Sequence, residues 1–166
     1  MPDTARLYDR DWYAWTQDQA ARLRAWPEHL RPNGLDVEHL AEEVEDLGGS
    51  QRRAVESHLR LIALHLLKLE FHPARENRGH WIGEVATFRD TLLTDLRDSP
   101  SLRSRCPDLY REAWRKARRA FLDQLSEERP DLVRVIGAAL PADGLPHYDL
   151  STQILAEDWY PTPFAD

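Results

Sequence analysis

A single cysteine, Cys106, leaves this 166-residue chain without an internal disulfide, and no second cysteine exists to complete a redox pair or a thiol-rich zinc site. A reducing cytoplasm is therefore the expected location. Long hydrophobic runs are missing as well. The longest, Leu59 to Phe71, is interrupted by Arg60, His65, Lys68 and Glu70 and falls short of the roughly 20 residues that cross a bilayer, so it reads as a buried helix. The opening Met-Pro-Asp-Thr-Ala-Arg has no apolar signal-peptide core. Positive charge is in deficit, with 22 basic residues against 29 acidic and a formal net charge of −7. Such a balance repels phosphate backbones and anionic lipid, so neither nucleic acid nor a membrane is the expected partner. Strand-like alternation, a domain linker, a repeat, a phosphate-cradling glycine loop and a nucleophile elbow are all absent.

What is present is helical spacing. A first helix is expected from Asp9 or Asp11 to just before Pro27, with Tyr8, Trp12, Trp15, Leu23 and Trp26 on one aromatic-rich face of the kind that serves as core or partner contact. After Asn33-Gly34, Asp36 can cap a second helix carrying Val37, Leu40, Ala41, Val44 and Leu47 at core spacing. Gly48-Gly49 is expected to end it and Ser50 to cap a third helix, Gln51 to Phe71. The result would be an antiparallel hairpin with Val44 and Leu47 against Val55 and Leu59. Being apolar on several faces, the third helix should be central. A fourth runs from Gly79 to about Arg97 and stops at Asp98-Ser99-Pro100, and a fifth starts at Pro107, a favoured first helical position. A shorter sixth covers Pro130 to Leu140, and Ser151 to Ala156 adds a turn or two. Pro141 to Pro146 and the ending Trp159-Tyr160-Pro161-Thr162-Pro163 read as coil pinned down by its aromatics. The expected architecture is all-α: a single-domain helical bundle over residues 1–166, with four to five main helices, short C-terminal helices and a coil tail.

Several collinear segments resemble a known family. They are Tyr8-Asp9-Arg10-Asp11-Trp12-Tyr13-Ala14-Trp15-Thr16, Leu40-Ala41-Glu42-Glu43-Val44-Glu45-Asp46-Leu47-Gly48, Leu64-His65-Leu66-Leu67-Lys68, Asp98-Ser99-Pro100-Ser101-Leu102 and Leu155-Ala156-Glu157-Asp158-Trp159-Tyr160-Pro161. In this order, over about residues 8 to 161, they are similar to the bacterial family catalogued as domain of unknown function 29. The resemblance implies a helical fold and a bacterial source, and carries no catalytic residues with it.

Three constellations bear on chemistry. Arg53 with His58, and Arg60 with His65, repeat an Arg-x-x-x-x-His spacing similar to the motif of HEPN-type helical ribonucleases, where arginine stabilises phosphate charge and histidine moves protons. Ala54 and Leu61 stand where that motif usually has a polar residue, and five residues advance a helix by about 500°, leaving the two side chains roughly 140° apart. The structural reading of His65 is a buried neutral histidine held by a hydrogen bond, with Arg60 paired to a carboxylate at the rim. His39 and Glu43, at i and i+4, form a possible metal site that His58 would join across the hairpin. Finally, Glu42, Glu43, Glu45 and Asp46 would face Arg52 and Arg53 across the same hairpin, and Arg111, Arg115, Lys116, Arg118 and Arg119 form a basic stripe that reads as a solvated face.

None of these is a complete catalytic signature. The leading expectation is a non-catalytic helical binding or protein-interaction module without a cofactor, recognising a protein partner or another copy of itself. Six tryptophans and five tyrosines, types enriched at interface centres, motivate it. The alternative is an enzyme, either an HEPN-like metal-independent ribonuclease or a metal-binding helical-bundle hydrolase. An exposed aromatic patch would favour binding; an enclosed polar pocket holding His39, Glu43, His58 or His65 would favour chemistry.

Overall fold

A computed structural model describes residues 4–141 and 145–164. The elements are α1 (Thr4–Arg10), α2 (Trp12–Arg24), α3 (Val37–Phe71), α4 (Arg78–Asp98), α5 (Pro100–Glu128) and α6 (Pro130–Ala139). Short 3-10 turns precede α3 and α4 at Glu28–Leu30 and Arg75–Asn77, and Leu150–Ile154 forms a single wide turn closed by i to i+5 hydrogen bonds. No strand occurs among the described residues, and the fold is all-α. Of the proline-rich stretch Pro141 to Pro146, residues 142–144 lie outside the described residues, as does the start of the N-terminal segment.

The expected hairpin at Gly48-Gly49 does not form. α3 continues without interruption through both glycines, which is a correction to the reading of two helices joined by a turn. Glycine costs a helix about 1 kcal/mol relative to alanine, but that penalty is small beside the packing that a missing Cβ permits. Gly48 is buried, and a Cβ there would overlap Thr16 Oγ1 and stand 3.2 Å from Thr16 Cβ, so the glycine serves close approach to α2 rather than a turn. Ser50 accordingly does not begin a helix; its hydroxyl accepts from Arg53 at 2.9 Å. A second correction concerns Pro107, which sits inside α5 rather than at its start. The helix begins seven residues earlier at Pro100, where the missing N–H is no loss.

The chain divides into two compact units, residues 1–55 with 94–105 and residues 56–93 with 106–166. In the first, Tyr13, Thr16, Ala20, Val37, Ala41, Leu96, Ser99 and Leu102 are buried. Asp11 separates α1 from α2 and caps α2, its Oδ1 accepting from Ala14 N–H at 2.8 Å. Leu40 and Leu47, expected in the core, are instead exposed at 41% and 53%. The reason is angular: Val37, Ala41 and Gly48 occupy the face turned inward, and residues at 40 and 47 fall roughly 80 to 100° off its centre.

In the second unit Leu59, Ile62, Leu64, Leu66, Leu67 and Leu69 of α3 are all buried, as a helix apolar on several faces requires. They pack in a core that includes Trp81, Val85 and Leu92 of α4 and Tyr110, Trp114, Phe121 and Leu125 of α5. Each large side chain so buried contributes roughly 1.5 to 3 kcal/mol.

Candidate functional site

His65 sits in the second unit and is 7% exposed. Its Nδ1 lies 2.8 Å from the Leu61 carbonyl, its Nε2 lies 2.6 Å from Glu84 Oε2, and Phe88 covers it with ring centroids 5.5 Å apart. A carbonyl and a carboxylate are both acceptors, so a neutral ring with one N–H satisfies only one of them. Both ring nitrogens are thus turned to acceptors inside the protein, Nδ1 to the Leu61 carbonyl and Nε2 to Glu84. With both nitrogens so engaged, neither is directed at Arg60. Glu84 Oε2 is also 3.5 Å from Nε2 of the exposed His80. Glu84 faces a groove of about 460 Å³ along α4, lined by Gly79, His80, Gly83, Thr87 and Phe88. The groove is open, and His58 and His65 do not line it.

The remaining candidates lie apart. His58 is half-buried beside Phe88, ring centroids 6.3 Å apart, and Arg60 is half-buried on the same helix. Arg53 is exposed and turned to Ser50. His39 is exposed and belongs to the cap of α3: Asp36 Oδ1 accepts from its backbone N–H at 3.2 Å and Asp36 Oδ2 meets its Nδ1 at 2.5 Å. That contact raises the His39 pKa and lowers that of Asp36. Glu43 is exposed one turn on. Because α3 is continuous, the reversal that would have carried His58 back to Glu43 is absent. Among the described residues no three His, Cys, Asp or Glu side chains converge as metal ligands. In the basic stripe of α5, Arg111 is paired with Asp108 (3.3 Å), Arg115 with Glu112, Lys116 with Glu56 of α3 (2.6 Å) and Arg119 with Asp123 (3.8 Å), while the buried Nε of Arg118 has no hydrogen-bond partner among the described residues.

The aromatic residues of the first unit form a cluster that is partly open to solvent. Trp12 and Trp15 stack with centroids 5.1 Å apart, and Tyr8 stands edge-on to both at 5.3 and 4.9 Å while 50% exposed. Trp12 and Trp15 are half-buried. The inward side of α2 carries Tyr13, Thr16 and Ala20. This leaves the Tyr8, Trp12 and Trp15 rings outside the core that α2 builds.

A match to the model for "Domain of unknown function DUF29" extends over residues 7–160. The chain belongs to the DUF29 family. It is also similar to a solved structure, an alpha-helical protein of unknown function from Rhodospirillum rubrum ATCC 11170, at 28% identity and a TM-score of 0.65, covering 91% of this chain and 90% of that one. No curated protein matches. Three of the DUF29 segments quoted above meet in the first unit. Asp11 receives the Ser101 backbone N–H at 2.6 Å and the Ser101 hydroxyl at 2.7 Å, so one carboxylate caps both α2 and the start of α5. Ser99 Oγ accepts from Tyr13 N–H at 3.1 Å and donates to Gln51 Oε1 at 2.8 Å. Gly48 supplies the close approach to Thr16. These DUF29 residues are therefore accounted for by capping and packing.

The closing DUF29 segment is held by residues that sequence reading missed. The Arg89 guanidinium, buried in the second unit, donates to the carbonyls of Gln153 (2.6 Å), Ile154 (2.9 Å), Glu157 (3.2 Å) and Trp159 (2.9 Å), and the Tyr160 ring lies 5.1 Å away. Burial lowers its pKa without removing its charge. Arg78 bridges the carbonyls of Leu69 and Pro161 at 2.9 and 2.8 Å. Glu70 accepts from the Tyr148 hydroxyl at 2.7 Å and lies 3.2 Å from His147 Nε2, and burial pushes the Tyr148 phenol well up. No local pattern announces such contacts, since all but the Arg78 bond to Leu69 join residues more than 60 positions apart. No described helix is long and apolar enough to cross a membrane.

Proposed function

We propose that this chain is a non-catalytic helical module that binds a protein partner. The observation that carries the reading is the Tyr8, Trp12 and Trp15 cluster, stacked and edge-packed yet left partly open to solvent. Tryptophan and tyrosine concentrate binding energy because their rigid rings bury much area at little entropic cost. The His65 environment supports the same ranking. A candidate acid or base whose two nitrogens are already bound inside the protein has nothing left to offer a substrate. A cytoplasmic setting belongs to this proposal, on the strength of the lone, buried Cys106.

The test is recovery of tagged protein from its own cell, beside a Trp12→Ala variant shown to be folded by circular dichroism. The expected result is a protein retained at stoichiometric yield by the parent and lost from the variant. Stoichiometric RNA or a tightly held metal ion in place of a protein would overturn the reading and promote the enzymatic alternatives.

A further inference from the structure

We propose that a largely enclosed apolar cavity in the second unit binds a medium-chain fatty carboxylate, its acyl chain inside and its carboxylate on Arg75 at the mouth. This goes beyond the binding reading above and does not depend on it. The cavity measures about 240 Å³ and lies between the end of α3, the turn that follows, α6 and the C-terminal coil. The buried Phe71 and Ile136 mark its inner end, and the exposed Arg75, Val135 and Phe164 mark its mouth. Six of the seven lining residues have apolar side chains, and the seventh is Arg75. Ordered water needs roughly two to four polar partners, which such a lining does not offer, so the space favours an apolar occupant. A cavity of about 150 Å³ with aliphatic and aromatic walls holds the six carbons of benzene; on the same scale this one holds about ten heavy atoms, an acyl carboxylate of about eight carbons. It falls below the roughly 300 Å³ at which drug-sized sites begin.

Charge at the mouth selects the head group. Arg75 Nη2 donates to the Phe164 carbonyl at 2.9 Å, and its Nη1 lies 3.4 Å from the Glu70 carbonyl. The Phe164 N–H in turn donates to that Glu70 carbonyl at 2.7 Å, which seats the coil as one wall of the cavity. Carbonyl oxygens orient the guanidinium but leave its charge uncompensated and further N–H groups unused. Arg75 forms no ion pair among the described residues, and carboxylates of the adjoining segments are engaged elsewhere: Glu70 with Tyr148 and His147, Glu128 with His72, and Asp131 with Arg129. A planar, forked cation beside an apolar cavity matches a carboxylate carried on an alkyl chain. A cationic head group would be repelled there, and a neutral one would leave the charge unmatched.

The test is calorimetric titration of the full chain with the even-numbered carboxylates from butyrate to dodecanoate, and with octanol and octylammonium, all below their micelle concentrations. Methyl NMR locates the bound chain. Octanoate is expected to bind at a single site and to shift the methyl signals of Leu132, Val135 and Ile136. Affinity should rise about fourfold for each added methylene and level off near decanoate, where the cavity is full. Octylammonium should bind at least about tenfold more weakly than octanoate. Arg75→Gln should weaken octanoate about three- to tenfold and leave octanol unchanged. Because Arg75 also holds the coil, Val135→Glu serves as the second variant: at an exposed position it sets a carboxylate at the mouth, and should weaken octanoate while strengthening octylammonium. Absence of octanoate binding, methyl shifts confined to other residues, equal affinity for octanoate and octylammonium, or affinity that keeps rising through dodecanoate would each overturn the proposal. Equal losses of octanoate and octanol in Arg75→Gln, with Val135→Glu without effect, would overturn the assignment of the head group.

Discussion

Gly48 lies directly against Thr16: a Cβ on the glycine would overlap the Thr16 hydroxyl oxygen and stand 3.2 Å from the Thr16 Cβ. Thr16 is fully buried and its hydroxyl donates to the Tyr13 carbonyl at 2.8 Å, so rotating the side chain away breaks a buried hydrogen bond. In an open helix Gly→Ala stabilises by about 1 kcal/mol. Here the sign reverses, and Gly48→Ala is expected to cost about 1 to 3 kcal/mol through overpacking. The check is a urea denaturation series including Thr16→Ala, which makes room, and the double variant. The two changes together should cost clearly less than the sum of the singles. Additive effects would mean that Gly48 and Thr16 do not press on each other.

Arg89 gathers four carbonyls of the C-terminal segment with one planar, forked guanidinium. Lysine keeps the charge but is a point donor that cannot reproduce that geometry. Arg89→Lys is therefore expected to cost about 2 kcal/mol or more and to loosen residues 153–160 selectively. Hydrogen exchange read by mass spectrometry checks this: faster exchange confined to that segment is expected, and unchanged protection there would contradict the clamp.

His65→Gln should lower the unfolding free energy by about 1 to 3 kcal/mol, because glutamine cannot meet the Leu61 carbonyl and Glu84 from the positions of the two ring nitrogens. Glu84→Gln should cost a similar amount, and the pair should be strongly non-additive in a double-mutant cycle. Neither Arg60→Ala nor His65→Gln is expected to change any RNA-cleaving activity of metal-free protein. Parent protein that cleaved RNA and lost that activity in both variants while they remained folded would install the ribonuclease in place of the binding module.

Asp36 and His39 form a pH-dependent cap on α3. The His39 pKa is raised above its ordinary 6.5, chiefly by the side-chain hydrogen bond to Asp36 and then by its charge. A raised histidine pKa means that the folded state binds the proton more tightly. The contribution is complete below pH 6.5 and is lost as pH climbs through the raised value. Proton NMR titration of the His39 ring should give a midpoint above 6.5 that returns to the ordinary value in Asp36→Asn. Amide protection in the first turn of α3 should fall over the same pH interval. A midpoint indifferent to Asp36→Asn would contradict the contact.

Helix existence, the all-α class, the buried second half of α3 and the burial of His65 were legible in the chain, because each is written in local spacing or in an apolar neighbourhood such as Leu64-His65-Leu66-Leu67. Periodicity reports which residues share a face without knowing what that face will meet. Leu40 and Leu47 match the core stripe as well as Val37 and Ala41 do, and only the position of α2 decided which pair went inside. The glycines illustrate the same ambiguity. Gly48-Gly49 is a fair stop signal for a helix, and the same missing Cβ is also the means by which two helices approach closely.

Sequence by itself determined that this protein is helical, acidic, without a disulfide inside these 166 residues and a member of its family, since composition and local pattern suffice for each. Tertiary structure alone decided that α3 is one helix, that Asp11 caps two helices across 90 residues, that Arg89 holds the tail and that Glu84 meets the His65 ring. Those outcomes depend on which distant group reaches an unsatisfied donor or acceptor first, and a one-dimensional pattern carries no record of that competition.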